Sequence, residues 1–132
     1  MMRGKKLMRR ILVVDDEPDV LNHLEQELGR NGWETGRAEN GVEAVLKVLD
    51  GGWDIVLMDI RMPHLNGVHA LRLMKRIAPA LPVIMFTGQA GQGDMLETRR
   101  LGAYACLLKP IDFDRLLSTL ETCLTAGVDS AA

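Results

Sequence analysis

The chain has 132 residues, 47% of them apolar and 26% charged, with a formal net charge of −2. That length suits one globular domain with a real core, and no bulk charge argues for binding to nucleic acid or to a membrane. Five basic residues near the start, Arg3, Lys5, Lys6, Arg9 and Arg10, precede only four apolar residues, too few for a signal-peptide core or a membrane span.

Residues 1–9 are therefore expected as a solvated basic tail. The first apolar run, Ile11–Val14, ends in Asp15 and Asp16. Pro18 and Asp19 suit a first helical turn, after which Val20, Leu21, Leu24 and Leu28 form one stripe before Gly32. Residues 34–38 are polar and contain Gly36, which suits a strand at a sheet edge. Asn40 is the expected N-cap of a second helix whose core face reads as Val42, Val45, Leu46 and Leu49, closed by Gly51 and Gly52.

Asp54 precedes the next apolar run, Ile55–Met58, which ends in Asp59. A third helix is predicted from about Gly67, with Val68, Leu71, Met74 and Ala78 inward. The run Val83–Phe86 ends in Thr87, followed by Gly88, Gly91 and Gly93 and by a weak helix over 94–101, the segment expected to move. The last run, Cys106–Leu108, ends in Lys109, and Asp112 caps a final helix carrying Phe113, Leu116, Leu117, Leu120 and Leu124. Residues 126–132 read as a frayed tail. Cys106 lies in an apolar run and Cys123 in a helical pattern, so both are expected as reduced core residues, with a cytoplasmic location as the default.

Alternation of strands and helices predicts a parallel sheet covered on both faces, whose ligands bind beyond the carboxyl ends of the strands. The polar residues at those ends should therefore converge. Three carboxylates, a hydroxyl and an ammonium describe a place for a divalent cation and a phosphoryl group. A cation is needed because two like charges about 4 Å apart repel by roughly 4 kcal/mol at an effective dielectric of 20. Mg²⁺ suits such a site, since it takes one or two carboxylates and fills the rest of its octahedron with water and phosphoryl oxygens.

Four motifs carry a resemblance. Val-Val-Asp-Asp-Glu-Pro closes the first run, Met-Asp-Ile-Arg-Met-Pro the next with Gly67 eight residues after Asp59, then Phe-Thr-Gly and Leu-Lys-Pro. In combination they resemble the receiver domains of bacterial two-component response regulators, from about Arg10 to Leu124. The resemblance implies a flavodoxin-like (CheY-like), doubly wound α/β fold: a five-stranded parallel sheet of order 2-1-3-4-5 with five helices in a three-layer sandwich, a single receiver domain over residues 10–125. It implies that Asp59 is the phosphoacceptor, and that Asp16, Asp59 and the backbone carbonyl of Arg61 ligate Mg²⁺ (or Mn²⁺), with Asp15 acting mainly through water. Thr87 and Lys109 would address the remaining phosphoryl oxygens, Arg61 and Gln89 would border the group, and the bond before Pro110 would be cis. The implied donor is a histidine kinase or histidine phosphotransfer protein. The implied output is a changed surface for an effector protein or output domain, and a phosphorylation-dependent homodimer stays open. Such a chain is not a turnover enzyme and catalyses only its own phosphoryl transfer and dephosphorylation.

The pattern departs from the family at one position. Receivers usually place Tyr or Phe three residues before the lysine, where this chain has Cys106, and its only tyrosine is Tyr104. Either Tyr104 substitutes as the switch aromatic, or Cys106 is core and the signal travels through the loop from Gly88 to Gly93. The second is favoured, because a two-residue shift moves a strand side chain about 7 Å. The alternative function is a phosphorylation-independent protein-interaction module on the same fold. A dehalogenase-like phosphatase would need Asp-x-Asp, where Arg61 stands instead. His23, His64 and His69 have no metal-ligand spacing, Glu17 reads as an acid of the first helical turn, and whether the chain stands alone or leads a longer protein stays open.

Overall fold

The computed structural model describes residues 9–131. Five parallel strands, β1 (Arg9–Val14), β2 (Trp33–Ala38), β3 (Ile55–Asp59), β4 (Val83–Thr87) and β5 (Ala105–Leu108), form one sheet of order β2-β1-β3-β4-β5. They alternate with α1 (Pro18–Arg30), α2 (Gly41–Asp50), α3 (Gly67–Ile77), α4 (Met95–Arg100) and α5 (Phe113–Ala131), and a 3-10 segment, Gln89–Asp94, leads into α4. The predicted flavodoxin-like architecture is present.

Side-chain alternation along the strands divides the core in two. Leu12, Val14, Val56, Met58, Val83 and Met85 point toward α2, α3 and α4. Ile11, Val13, Ile55, Leu57, Ile84 and Phe86 point toward α1 and α5, meeting Leu21, Leu24, Leu28, Leu116, Leu120 and Cys123. Strands buried on both faces read as continuous apolar runs, which is why those runs located β1, β3 and β4. β2 is an edge strand, as expected, and Gly36 has a further reason there: a Cβ would collide with the indole of Trp53, which lies across it.

Helix starts follow the expected chemistry. The Asn40 side chain accepts the amide hydrogen of Glu43 at 2.8 Å, and Asp112 accepts that of Arg115 at 3.3 Å. Asn66 caps α3 in the same way at 3.2 Å, a cap the sequence reading did not name.

Three expectations are corrected. In α2 the buried face is Gly41, Ala44 and Val48, while Val42, Leu46 and Leu49 are exposed. Small residues let this helix lie close to the sheet, and the larger ones turn away. Arg9 and Arg10 belong to β1 rather than to a solvated tail: Arg9 pairs with Glu121 at 2.7 Å, and the Arg10 guanidinium sits 4.4 Å from the centre of the Trp53 ring. Arg3, Lys5 and Lys6 lie outside the described residues. Finally, the backbone from Ala126 to Ala131 is helical and belongs to α5.

Candidate phosphoryl and cation site

Register brings the strand ends together. Val14 pairs with Met58, so Asp15 emerges beside Asp59, and Thr87 pairs with Leu108, so Lys109 emerges beside Thr87. Asp15, Asp16 and Asp59 each offer a carboxylate oxygen, all within 4.8 Å of one another. Asp15 and Asp59 are buried and Asp16 is exposed. Lys109 reaches across the cluster, its Nζ 2.9 Å from Asp59, 3.2 Å from Asp15 and 3.5 Å from Glu17.

Backbone groups fix the acids. Asp15 accepts the amide hydrogen of Glu17 at 2.9 Å, and Asp59 accepts that of Arg61 at 3.1 Å. The loop after Asp59 closes when Gly67 donates its N–H to the carbonyl of Ile60 at 2.7 Å. A Cβ on Gly67 would collide with the Asp59 carbonyl oxygen and lie 2.7 Å from the Ile60 Cα, so the sharp return into α3 requires glycine.

One ammonium does not balance three acids. Burial raises the pKa of Asp15 to about 6, with the charge of Asp59 adding to the rise. Burial likewise raises Asp59 above the ordinary carboxylate range, against the pull of Lys109. Burial works against the charge on Lys109, but its hydrogen bond and charge contact with Asp59, helped by Asp15, raise its pKa overall, so it stays cationic at any ordinary pH. Hard oxygen donors, close spacing and excess negative charge fit a divalent cation.

Thr87 is buried, and its hydroxyl donates to the Gly88 carbonyl at 3.2 Å. Gly91 rests directly on that hydroxyl, since a Cβ there would collide with it. The Arg61 guanidinium lies 3.5 Å from Asp94 at the end of the 3-10 segment, tying the loop after β3 to the loop after β4. The sequence reading placed Gly91 in the loop after Thr87 but not against its hydroxyl, and gave Asp94 no partner, because nothing local marks a glycine as touching a residue of the preceding strand. It also gave Glu17 no link to Lys109, a contact that depends on the β5 end.

The remaining candidates separate. The Lys109–Pro110 peptide is cis. The side chain of Gln89 lies outside the described residues. Tyr104 donates its amide hydrogen to Val83, at the start of β4, so it stands at the opposite end of the sheet from Thr87. Cys106 is half-buried beside Thr98 and Met95 of α4, its thiol pKa raised by burial, and Cys123 is buried on the core-facing side of α5; both are free. His23, His64 and His69 are exposed. Asp54 opens β3 at its far end, where it accepts the amide hydrogen of Arg10 at 2.8 Å. Among the described residues, no helix is long and apolar enough to cross a membrane.

Known proteins resemble this chain in sequence and fold. The chain is 40% identical to Protein PilH of Pseudomonas aeruginosa over 119 residues, 89% of this chain and 98% of that protein. It is 36% identical to the transcriptional regulatory protein ZraR of Salmonella typhimurium over its whole length but spans only 29% of that relative. Among solved structures it resembles the response regulator protein TrrA of Thermotoga maritima, in complex with Mg²⁺–BeF, with a TM-score of 0.79 and 33% identity over 87% of this chain and 98% of that one. The response regulator receiver domain family matches residues 11–121. With the sheet order, the paired acids and the strand-end lysine in place, the chain belongs to the response regulator receiver domains of two-component signalling.

Proposed function

We propose that the chain accepts a phosphoryl group on Asp59 and reports it through a changed protein-binding surface. The observation that carries this reading is the meeting of Asp59 with Asp15, Asp16 and Lys109 at the ends of adjacent strands. An Asp59 oxygen attacks the phosphorus of a phosphohistidine on a histidine kinase or histidine phosphotransfer protein. The new O–P bond forms as the P–N bond breaks, and the freed imidazole takes a proton. Asp16, Asp59 and the backbone carbonyl of Arg61 would hold Mg²⁺ (or Mn²⁺), with Asp15 behind them. When bound, the ion supplies positive charge that offsets the carboxylates and the incoming phosphoryl group.

Lys109 keeps its charge throughout and is free to exchange an aspartate oxygen for a phosphoryl oxygen. Thr87 turns its hydroxyl from Gly88 toward the same group, and the segment resting on it through Gly91 follows. That segment leads directly into α4. Leu96 of α4 and Leu108 of β5 are exposed, which suits an output surface for an effector or output domain on that side. A groove of about 550 Å³ beside Lys109, lined by Val20, His23, Phe86, Pro110, Ile111 and Phe113, suits the donor protein. A cytoplasmic site of action goes with this reading.

Incubation with a small phosphodonor and Mg²⁺ should add one phosphoryl mass to the chain, and Asp59→Asn should abolish it. Absence of an adduct with every donor tried would sink the proposal. Partner binding indifferent to Asp59→Asn would point instead to a phosphorylation-independent interaction module.

A further inference from the structure

Phosphoryl chemistry leaves one apolar surface without a role. Val42, Leu46 and Leu49 of α2 are 50%, 57% and 58% exposed, and Leu73 and Ile77 of α3 are 41% and 37% exposed. Residues spaced by four and then three positions form one stripe on a helix. The ammonium of Lys47 reaches the carbonyl of Arg37 in β2, so the flank of α2 opposite Lys47, which carries the stripe, faces α3. On α3, Lys75 lies against Gly102 beyond α4 and donates to the Leu81 carbonyl, so the flank opposite Lys75, which carries Leu73 and Ile77, faces α2. The five side chains therefore line one groove between the helices.

The two rims of this groove are opposite in charge. The outer side of α2 carries the exposed Asp50 and the half-buried Glu43, whose carboxylate accepts the Glu39 amide hydrogen at 2.7 Å, and that of α3 carries the exposed Arg72 and Arg76. Gly41 packs against the backbone of Leu65, so α2 and α3 begin at the same level, and Asp50 lies level with the last turn of α3.

We propose that this groove is the interface of a homodimer. A twofold axis running along the groove lays α2 of each copy on α3 of the other. The acidic rim of one copy then meets the basic rim of its partner twice, with Asp50 beside Arg76. The apolar side chains of both copies close between them, giving an apolar centre inside a charged rim. A second copy of this chain is the occupant because the patch is self-complementary: each copy brings both signs of charge in the order that the other needs. None of this depends on Asp59, so the dimer goes beyond the phosphoryl reading and forms without it.

Sedimentation of the full chain over a range of concentrations, without phosphodonor, tests the proposal. A monomer–dimer equilibrium is expected in the parent and equally in Asp59→Asn. Leu46→Arg, and independently Leu73→Arg on the other wall, should weaken it at least about tenfold, with an unchanged far-UV circular dichroism spectrum because both positions are exposed, and with melts that match the parent at concentrations where the parent is monomeric. Asp50→Arg and Arg76→Glu should each weaken it about tenfold through two symmetric contacts, and the double variant should return to within roughly threefold of the parent. A chain that stays monomeric at every concentration, a dimer indifferent to both arginine substitutions, or a double variant no better than the singles would overturn it.

Discussion

Lys109 and Asp59, 50 residues apart, meet at 2.9 Å between ammonium and carboxylate. The same ammonium reaches Asp15 at 3.2 Å, so the end of the last strand neutralises acids that the first and third strands supply. Both acids are buried, and the lysine, 23% exposed along its side chain, is the one cation paired with them among the described residues.

Lys109→Met keeps most of the stem and removes the charge. The metal-free variant should lose about 2 kcal/mol of stability at neutral pH, because it leaves two buried carboxylates uncompensated. Adduct formation from a small phosphodonor should slow on the order of a hundredfold. Denaturant titration in EDTA and intact-mass time courses measure the two effects separately.

Asp15 carries the pH dependence. Its folded pKa lies above the unfolded value, raised from 3.8 to about 6 by burial and then by Asp59, so the folded chain holds its proton more tightly than the unfolded one. This contribution makes stability fall as pH rises from about 4 to 6, and above that the ionised group costs on the order of 3 kcal/mol. Asp15→Asn should therefore be more stable than the parent at pH 7 in EDTA, and the difference should vanish near pH 4. Added Mg²⁺ should raise the melting temperature of the parent more than that of the variant, with the effect weakening below about pH 6 as protons compete.

Two glycines should behave oppositely. Gly67→Ala drives a Cβ into the backbone of Asp59 and Ile60 and should cost about 2 kcal/mol or more, lowering phosphorylation as Asp59 shifts. Gly29→Ala in α1 meets nothing within 4 Å and should stabilise the chain by roughly 0.5–1 kcal/mol. Thermal melts of the two variants side by side check the contrast.

The Arg61–Asp94 pair is exposed and spans 3.5 Å, so Asp94→Asn should change stability by no more than about 0.5 kcal/mol. A larger loss in chemical denaturation would mean that the two loops depend on this contact.

What the sequence disclosed, and what it hid, follow from range. Apolar runs with polar ends are local, and in a parallel sheet all such ends share one edge, so Asp15, Asp59, Thr87 and Lys109 could be brought together before any coordinates. The face of α2 could not. Gly41, Ala44 and Val48 alternate with a bulkier stripe, and hydrophobicity alone favours Val42, Leu46 and Leu49, whereas close packing on the sheet favours the smaller set. Gly91 against Thr87 and Glu17 near Lys109 are contacts between separate loops, and no spacing along the chain encodes them.

The order β2-β1-β3 has a kinetic consequence. Asp15 and Asp59 sit on neighbouring strands, but the chain between them must first complete α1, the edge strand β2 and α2. Lys109 arrives only when β5 docks on β4 at the far side. Any fragment that holds the pocket must run from β1 through β5, and such long-range contacts carry a loop-closure cost that slows assembly. Competence for phosphoryl transfer, which needs Lys109, therefore matures with the last strand, and its appearance during refolding would time the completion of the sheet.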